Sequence, residues 1–357
     1  MNKAILLMYN SDVSEIIRFK NMLNDIEIVQ IVAPKGWGFA GEDAGVVDGG
    51  MITGSTINYE INFDIQFDMA IIFSELDERI IRDMYSIYFA KLMQRNIRIL
   101  CSNKIKKVLN SLNGAYDNFM MFENLPIKRS DRVFEIDTPI ILVAGTHENT
   151  QKFQIQLYLK KVMERKGYKI SMIGSKEFSE LFGGHSFPRY MFETDLEKNK
   201  ITAFCSLIKM IENDEKPDAI IIGVPGGMLP YNDKFCGYFG ITLYEVMLAV
   251  RPDILVLSCL FEQYDADYFE ELSLLLKYRF GVMPDCFNIS DFQVDTNESE
   301  QTNILQYLKI ANESVKSMAQ KIESKYPIFC VGYPGDGDKM GDYVTKILEE
   351  YACAEFV

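Results

Sequence analysis

The residues with the clearest capacity for chemistry in this 357-residue chain run from Pro139 to Leu159, PIILVAGTHENTQKFQIQLYL. An apolar run closes on Gly145 and Thr146, a polar loop carries His147, and Lys152 opens an amphipathic helical pattern. Strand, glycine-bearing loop and helix in succession aim backbone N–H groups and the positive end of a helix at an anion. A lysine at the head of that helix reaches the β- and γ-phosphates in a nucleotide-hydrolysing loop, where a glycine precedes it and a Ser or Thr follows to hold Mg²⁺. Here Gln151 stands in the glycine's place and Phe153 in the hydroxyl's. Gln brings a side chain to a position that favours glycine, and Phe has no oxygen for a cation. The expected chemistry is anion binding without hydrolysis.

A second stretch points to the same place. KPDAIIIGVPGGMLP, Lys216 to Pro230, is an apolar strand ending in a loop with Gly226 and Gly227. Ile222 takes the position at which an acidic residue would assist the metal. The cofactor-binding set read from the sequence is therefore Gly145, Thr146, His147, Gln151, Lys152, Gly226 and Gly227. No metal site is expected, and the nucleotide would be ATP or GTP with weak or no Mg²⁺ dependence. His185, in FGGHSFPR, is the candidate catalytic acid/base, weighed against a histidine that only bonds nearby backbone. Trp37, Asp43 and Asp48 lie in the glycine-rich stretch from Gly36 to Gly50, and Asp336 and Asp338 in GYPGDGD. Both loops read more readily as packed or solvent-facing turns than as ligand sites. No Ser-His-Asp or Cys-His spacing is present.

These loops need a scaffold, and the periodicity supplies one. Apolar runs at 3–9, 27–33, 67–73 and 97–101 alternate with helical patterns at 13–23, 75–95 and 103–112, which predicts a Rossmann-like α/β unit with a parallel sheet over 1–115. Residues 116–138 lack periodicity and read as a linker. A second α/β unit, P-loop NTPase-like with helices on both faces of a parallel sheet, is expected over 139–357. Its strands are placed at 140–144, 168–173, 219–223, 254–258 and 328–331, with an edge strand at 282–289. Its helices are placed at 152–166, 201–212, 241–250, 265–278, 303–324 and 340–351, with DTNESEQT as a polar spacer before the helix at 303–324.

Composition narrows the class. Hydrophobic content of 48% with 12% aromatic residues is ample for burial, and a net charge of −14 argues against nucleic acid or an anionic membrane surface, both of which select Lys/Arg clusters. The seven cysteines are scattered without a C-x-x-C pair and read as reduced thiols, which makes a cytoplasmic setting the expectation. No run reaches the ~18 apolar residues of a membrane span.

The run GTHENTQKF resembles, without gaps, the G-T-x-x-x-x-G-K-T loop of dethiobiotin synthetase-type P-loop proteins, and KPDAIIIGVPGG resembles the facing strand and loop of that group. Over nearly the whole chain, KGWGFAGEDAG, VAGTHENTQKFQIQL, IGSKEFSELFGGHSFP, KPDAIIIGVPGGMLPYNDKF and GYPGDGD together resemble a clostridial peptide maturation system family. That resemblance implies an accessory role in maturing a ribosomally synthesised, bacteriocin-like peptide. Its implied partners are the precursor peptide or the radical SAM enzyme encoded beside it. The alternative carried by the dethiobiotin synthetase likeness is nucleotide-dependent carboxylate activation, or acyl transfer, on the precursor or a small acid. A homodimer is left open.

Overall fold

A computed structural model of the chain describes residues 1–114, 116–122 and 130–354. The chain separates into two compact units, Met1–Glu123 with Glu180–Gly183, and Asn124–Ser179 with Gly184–Val357. Part of the stretch expected to be a linker, 123–129, lies outside the described residues. Among the described residues no helix is long and apolar enough to cross a membrane.

The first unit carries a six-stranded parallel sheet of β1 (Asn2–Leu7), β2 (Ile26–Val32), β3 (Ile57–Asn58), β4 (Met69–Ile72), β5 (Arg98–Cys101) and β6 (Phe119–Met120), in the order β3-β2-β1-β4-β5-β6. Helices α1 (Ser14–Arg18), α2 (Glu78–Asp83), α3 (Ala90–Gln94) and α4 (Asn103–Asn113) accompany it. Strand order reverses at β1, the position where open α/β sheets collect ligands. The loop after β1, MYNSDV, has no glycine, and Met8 takes φ +60 with its side chain fully buried. Only five residues follow as α1, so the glycine turn and long helix of a dinucleotide site are both missing. The glycine-rich stretch is organised by its carboxylates. Asp43 accepts from the N–H groups of Gly45, Thr53 and Ser55 at 2.8–3.0 Å, and Asp48 is paired with Arg18. Trp37 packs, partly buried, on this unit's core.

The second unit is built on a seven-stranded parallel sheet of β7 (Ile140–Gly145), β8 (Ile170–Gly174), β9 (His185–Ser186), β10 (Ala219–Gly223), β11 (Ile254–Cys259), β12 (Cys286–Ile289) and β15 (Ile328–Phe329), in the order β15-β12-β11-β7-β10-β8-β9. A two-stranded antiparallel ribbon, β13 (Phe292–Val294) with β14 (Tyr307–Lys309), lies between β12 and β15 in sequence. The helices are α5 (Lys152–Arg165), α6 (Glu197–Glu215), α7 (Ile241–Ala249), α8 (Ala266–Phe280), α9 (Thr296–Thr302), α10 (Asn312–Ala319) and α11 (Asp336–Ala354). Every residue of β7, β8, β10, β11 and β12 is buried, as strands covered on both faces must be. β7 sits at the centre, flanked by β10 and β11, so the chain switches direction across the sheet at its carboxyl end.

Two features of this unit differ from the sequence expectation. The strand placed at the edge around 282–289 is internal, fully buried between β11 and β15. The helix expected over 303–324 is broken. DTNESEQT itself folds as α9, capped by the Asp295 side chain on Glu298 N–H, and residues 307–309 form β14 before α10 begins. Asp295 as an N-cap with Glu298 three residues on is a helix-start signal that outweighed the polarity of the stretch. Helix α11 lies close along α5 because Gly337 and Gly341 carry no side chain. A Cβ on either would fall 2.3 Å from the Tyr158 ring or 2.6 Å from Val162 Cγ2.

Candidate anion-binding site

The site stands where β7 runs out. Its last residue, Gly145, pairs in register with Ser258 of β11, and the Thr146 N–H donates to Ser258 O at 2.8 Å. Gly145 has to be glycine. A Cβ there would lie 2.3 Å from Thr150 Oγ1 and 2.9 Å from Lys152 Nζ. The loop 146–151 then curls back to deliver Gln151 at φ +60, ψ 23, the left-handed region that glycine usually occupies, and α5 begins at Lys152. Gln151 is held there by its own side chain. Its Oε1 accepts from the Asp291 N–H at 3.3 Å and its Nε2 donates to Gln154 Oε1 at 3.0 Å. The αL position predicted by the glycine pattern is thus preserved while the glycine is not.

Lys152 folds back into the loop. Its Nζ donates to His147 O at 3.1 Å and to Gly226 O at 2.7 Å, and the side chain is only 7% exposed. Burial pulls its pKa down from 10.5 to about 8, with Glu148 pulling up and Lys176 down. The ammonium has three protons, and these two bonds use two of them. The first N–H groups of α5 have no intrahelical acceptor, and Gln151 gives them no side-chain cap. A buried ammonium and uncapped backbone donors at a helix head are the features that favour an anion.

The facing loop is stitched to the first. Met228 and Leu229 N–H groups donate to Gly145 O and Thr146 O, each at 2.9 Å, and Gly226 takes φ +78. A Cβ on Gly227 would sit 2.5 Å from His147 Cα, so the two backbones meet only because that side chain is missing. His147 is partly buried, with Nδ1 3.1 Å from Thr146 Oγ1 and its ring edge-on to Tyr231. Burial, then the Lys152 charge, lower its pKa to about 4, against the upward pull of a bond to the Pro230 backbone. It is therefore neutral at physiological pH. On the metal side the residues do not fit a divalent ion. Phe153 is 2% exposed and packs edge-on against Phe178, and Ile222 is fully buried, so neither position offers oxygen.

Gly145, Thr146, His147, Gln151, Lys152, Gly226 and Gly227 therefore come together in one place. His185 does not join them. It lies on β9, three strands from β7, with Nε2 2.5 Å from Glu215 Oε1, while Glu215 also accepts from Ser171. That bond to His185, ahead of the opposing effect of burial, lowers the Glu215 pKa. The GYPGDGD carboxylates are also engaged. Asp336, expected on a turn surface, is fully buried and paired with Lys316, and Asp338 lies 3.1 Å from Lys161.

The sequence reading missed the residues that brace the loop from the other side. Ser258 Oγ donates to Thr150 O, Asn288 Nδ2 donates to Ser258 Oγ at 2.9 Å, and Asn288 Oδ1 accepts from the Val331 N–H at 2.9 Å. Both side chains are fully buried. The available signal was a polar residue inside each of two apolar strands, Ser258 in ILVLSC and Asn288 in CFNI, since a buried polar group needs a partner.

Compared with protein-family models and with curated protein sequences, the chain matches none. Among solved structures, a DUF1611 family protein from Anabaena variabilis ATCC 29413 is similar over 97% of this chain and 100% of its own, at 12% identity and a TM-score of 0.62. That likeness shows a shared fold. The hydrogenase maturation factor HypB from Archaeoglobus fulgidus aligns over 59% of this chain and 90% of its own at 15% identity, with a TM-score of 0.31, too low to carry an argument.

Proposed function

We propose that the second unit binds a phosphate-bearing ligand, a nucleotide, at the 146–152 loop without metal-dependent hydrolysis, and that the protein serves as an accessory factor in maturing a ribosomally synthesised peptide. The observation that supports the first half is Lys152: buried, folded onto His147 O and Gly226 O, with a proton left to donate at the head of α5. Apolar Phe153 and Ile222 at the metal-supporting positions argue for binding rather than phosphoryl transfer, because that transfer relies on charge stabilisation by the ion. The second half rests on the motif resemblance, and its partners are the precursor peptide and the radical SAM enzyme of the same system.

Two measurements test the two halves separately. Calorimetry with pyrophosphate, ATP and GTP, each with Mg²⁺ and with EDTA, is expected to give binding that survives chelation. No heat with any of them refutes the anion site. Tagged protein recovered from a producing cell is expected to carry the precursor peptide or the radical SAM enzyme. Recovery of neither, with an unchanged peptide product after gene deletion, refutes the maturation role.

A further inference from the structure

Helix α7, ITLYEVMLA, is apolar on its inner and its outer side. Leu243, Val246 and Ala249 pack in one core with residues of α6, α8 and β7. On the opposite side Ile241, Tyr244 and Leu248, at positions i, i+3 and i+7, are exposed. The helix has one charged residue, Glu245, and that side chain is turned inward, 1% exposed, with Lys200 of α6 3.6 Å away. A helix that is apolar all round belongs in an interior, and a surface helix carries charge or polar groups on its outer face. The outer face of α7 has the composition of a contact.

The apolar surface extends beyond the helix. Tyr238 and Phe239 precede α7 and are exposed, and the Tyr238 ring lies 6.0 Å from that of exposed Phe192. Both α6 and α7 lead back from the carboxyl ends of parallel strands and so run the same way. Leu196 stands one turn before Lys200, as Ile241 stands one turn before Glu245, so the Lys200–Glu245 pair sets Leu196 beside Ile241. On the other flank the Tyr244 ring is 6.0 Å from that of Phe280, at the end of α8. The seven exposed side chains of this surface are each 44–67% exposed. At about 150–250 Å² for a large side chain, they offer about 700 Å² together. The largest apolar patch on a monomer is usually about 300–600 Å², and a standard interface takes about 800 Å² from each partner.

Charge says which partner completes the surface. Where α6 and α7 begin, exposed Glu193, Asp195 and Glu197 outnumber Lys198. Where α7 and α8 finish, exposed Arg251, Lys277 and Arg279 outnumber Asp253. Arg279 lies over the Phe280 ring, so this charge borders the apolar surface directly. The face is acidic at one end, apolar along its length and basic at the other. A second copy, turned about a two-fold axis across the middle of α7, lays each acidic end on the other copy's basic end and apolar on apolar. It also sets the two α7 dipoles antiparallel, the favourable arrangement. The chain's net charge of −14 opposes self-association at long range, so this local pairing and its apolar centre have to carry the contact.

We propose that the outer face of α7 is the interface of a homodimer, closed by a two-fold axis that sets the two α7 helices antiparallel. A two-fold contact uses the same surface on both copies and leaves none over, so association stops at two. The proposal does not depend on the Lys152 loop or on its ligand.

Sedimentation velocity on the full chain at about 50 μM is expected to give twice the 41.0 kDa chain mass, with a dissociation constant of about 10 μM or tighter. Leu248→Glu puts a charge on the outer side of α7, and is expected to weaken the dimer about a hundredfold while the urea transition stays cooperative. Two charge-reversed chains test the orientation. Arg251→Glu with Arg279→Glu makes both ends acidic, and Glu193→Lys with Glu197→Lys makes both ends basic. Each alone is expected to be monomeric at that concentration, and an equimolar mixture is expected to dimerise. A monomeric wild type overturns the proposal and gives the face to a different partner. A dimer that survives in folded Leu248→Glu overturns it too, because the contact then lies elsewhere. Loss of the dimer in both charge-reversed chains without recovery on mixing overturns the antiparallel two-fold arrangement, as does a dimer in either chain alone. The wild-type mass and the charge-reversed pair decide if Leu248→Glu does not fold.

Discussion

Replacing Lys152 by methionine separates what the lysine does for the fold from what it does for a ligand. Burial that lowers its pKa from 10.5 to about 8 costs the folded state roughly 3 kcal/mol at neutral pH, at ~1.4 kcal/mol for each pH unit. Against that, its bonds to His147 O and Gly226 O contribute about 1.5–3 kcal/mol each as charged hydrogen bonds. The net of the two lies between about zero and 3 kcal/mol in favour of the lysine, so Lys152→Met is expected to lower unfolding stability by no more than about 3 kcal/mol in urea titration. Ligand affinity should respond very differently. Loss of one charge-assisted bond to a phosphate corresponds to about 1.5–3 kcal/mol, or a ten- to hundredfold weaker pyrophosphate dissociation constant by calorimetry. In the wild type the same affinity should fall as pH rises through about 8, where the ammonium gives up its proton, and the variant should lack that pH dependence. An unchanged affinity in a folded Lys152→Met protein would refute the argument, because it would mean that the third proton of Lys152 points at nothing that binds.

Two further outcomes follow from the loop's geometry. Gly227→Ala sets a Cβ 2.5 Å from His147 Cα and 2.9 Å from Thr146 O, both rigid backbone, and is expected to lower stability by about 2–3 kcal/mol and to weaken anion binding with it. A loss of unfolding free energy below about 0.5 kcal/mol in urea titration would show that the two loops part easily. His147 titrates near 4 in the fold and near 6.5 when unfolded, so the unfolded chain binds the extra proton first. Its contribution is complete above pH 6.5 and is lost as pH falls to 4, up to about 3 kcal/mol. His147→Gln should flatten the stability–pH curve over that window.

The alternation of apolar strands and helices made both parallel sheets legible, and the order Gly145, Thr146, Lys152 marked a strand end, loop and helix head that the fold does form. Those features are local: a buried parallel strand must be apolar along its whole length, and a loop that approaches an anion must carry glycine and a cation close in sequence. Phe153 and Ile222 offer a cation no oxygen in any fold, so that expectation needed no coordinates. Short polar stretches were less legible. DTNESEQT reads as a spacer by polarity and folds as a helix through its Asp295 cap, and residues 307–309 belong to a ribbon whose partner strand lies about 15 positions earlier.

Tertiary structure alone decided which distant residues share the site. Gly226 and Gly227 reach His147 because β10 is inserted beside β7, and Ser258 and Asn288 brace Thr150 because β11 and β12 follow on the other side. The same strand order sends His185 to the far edge, where Glu215 takes it. It also carries Asp291, Asn312 and Gly332, separated by 20 residues or more in two intervals, onto one small space beside the loop. Spacing in sequence has no bearing on such meetings. They are set by strand order across a sheet, where each step of about 4.8 Å joins segments dozens of residues apart.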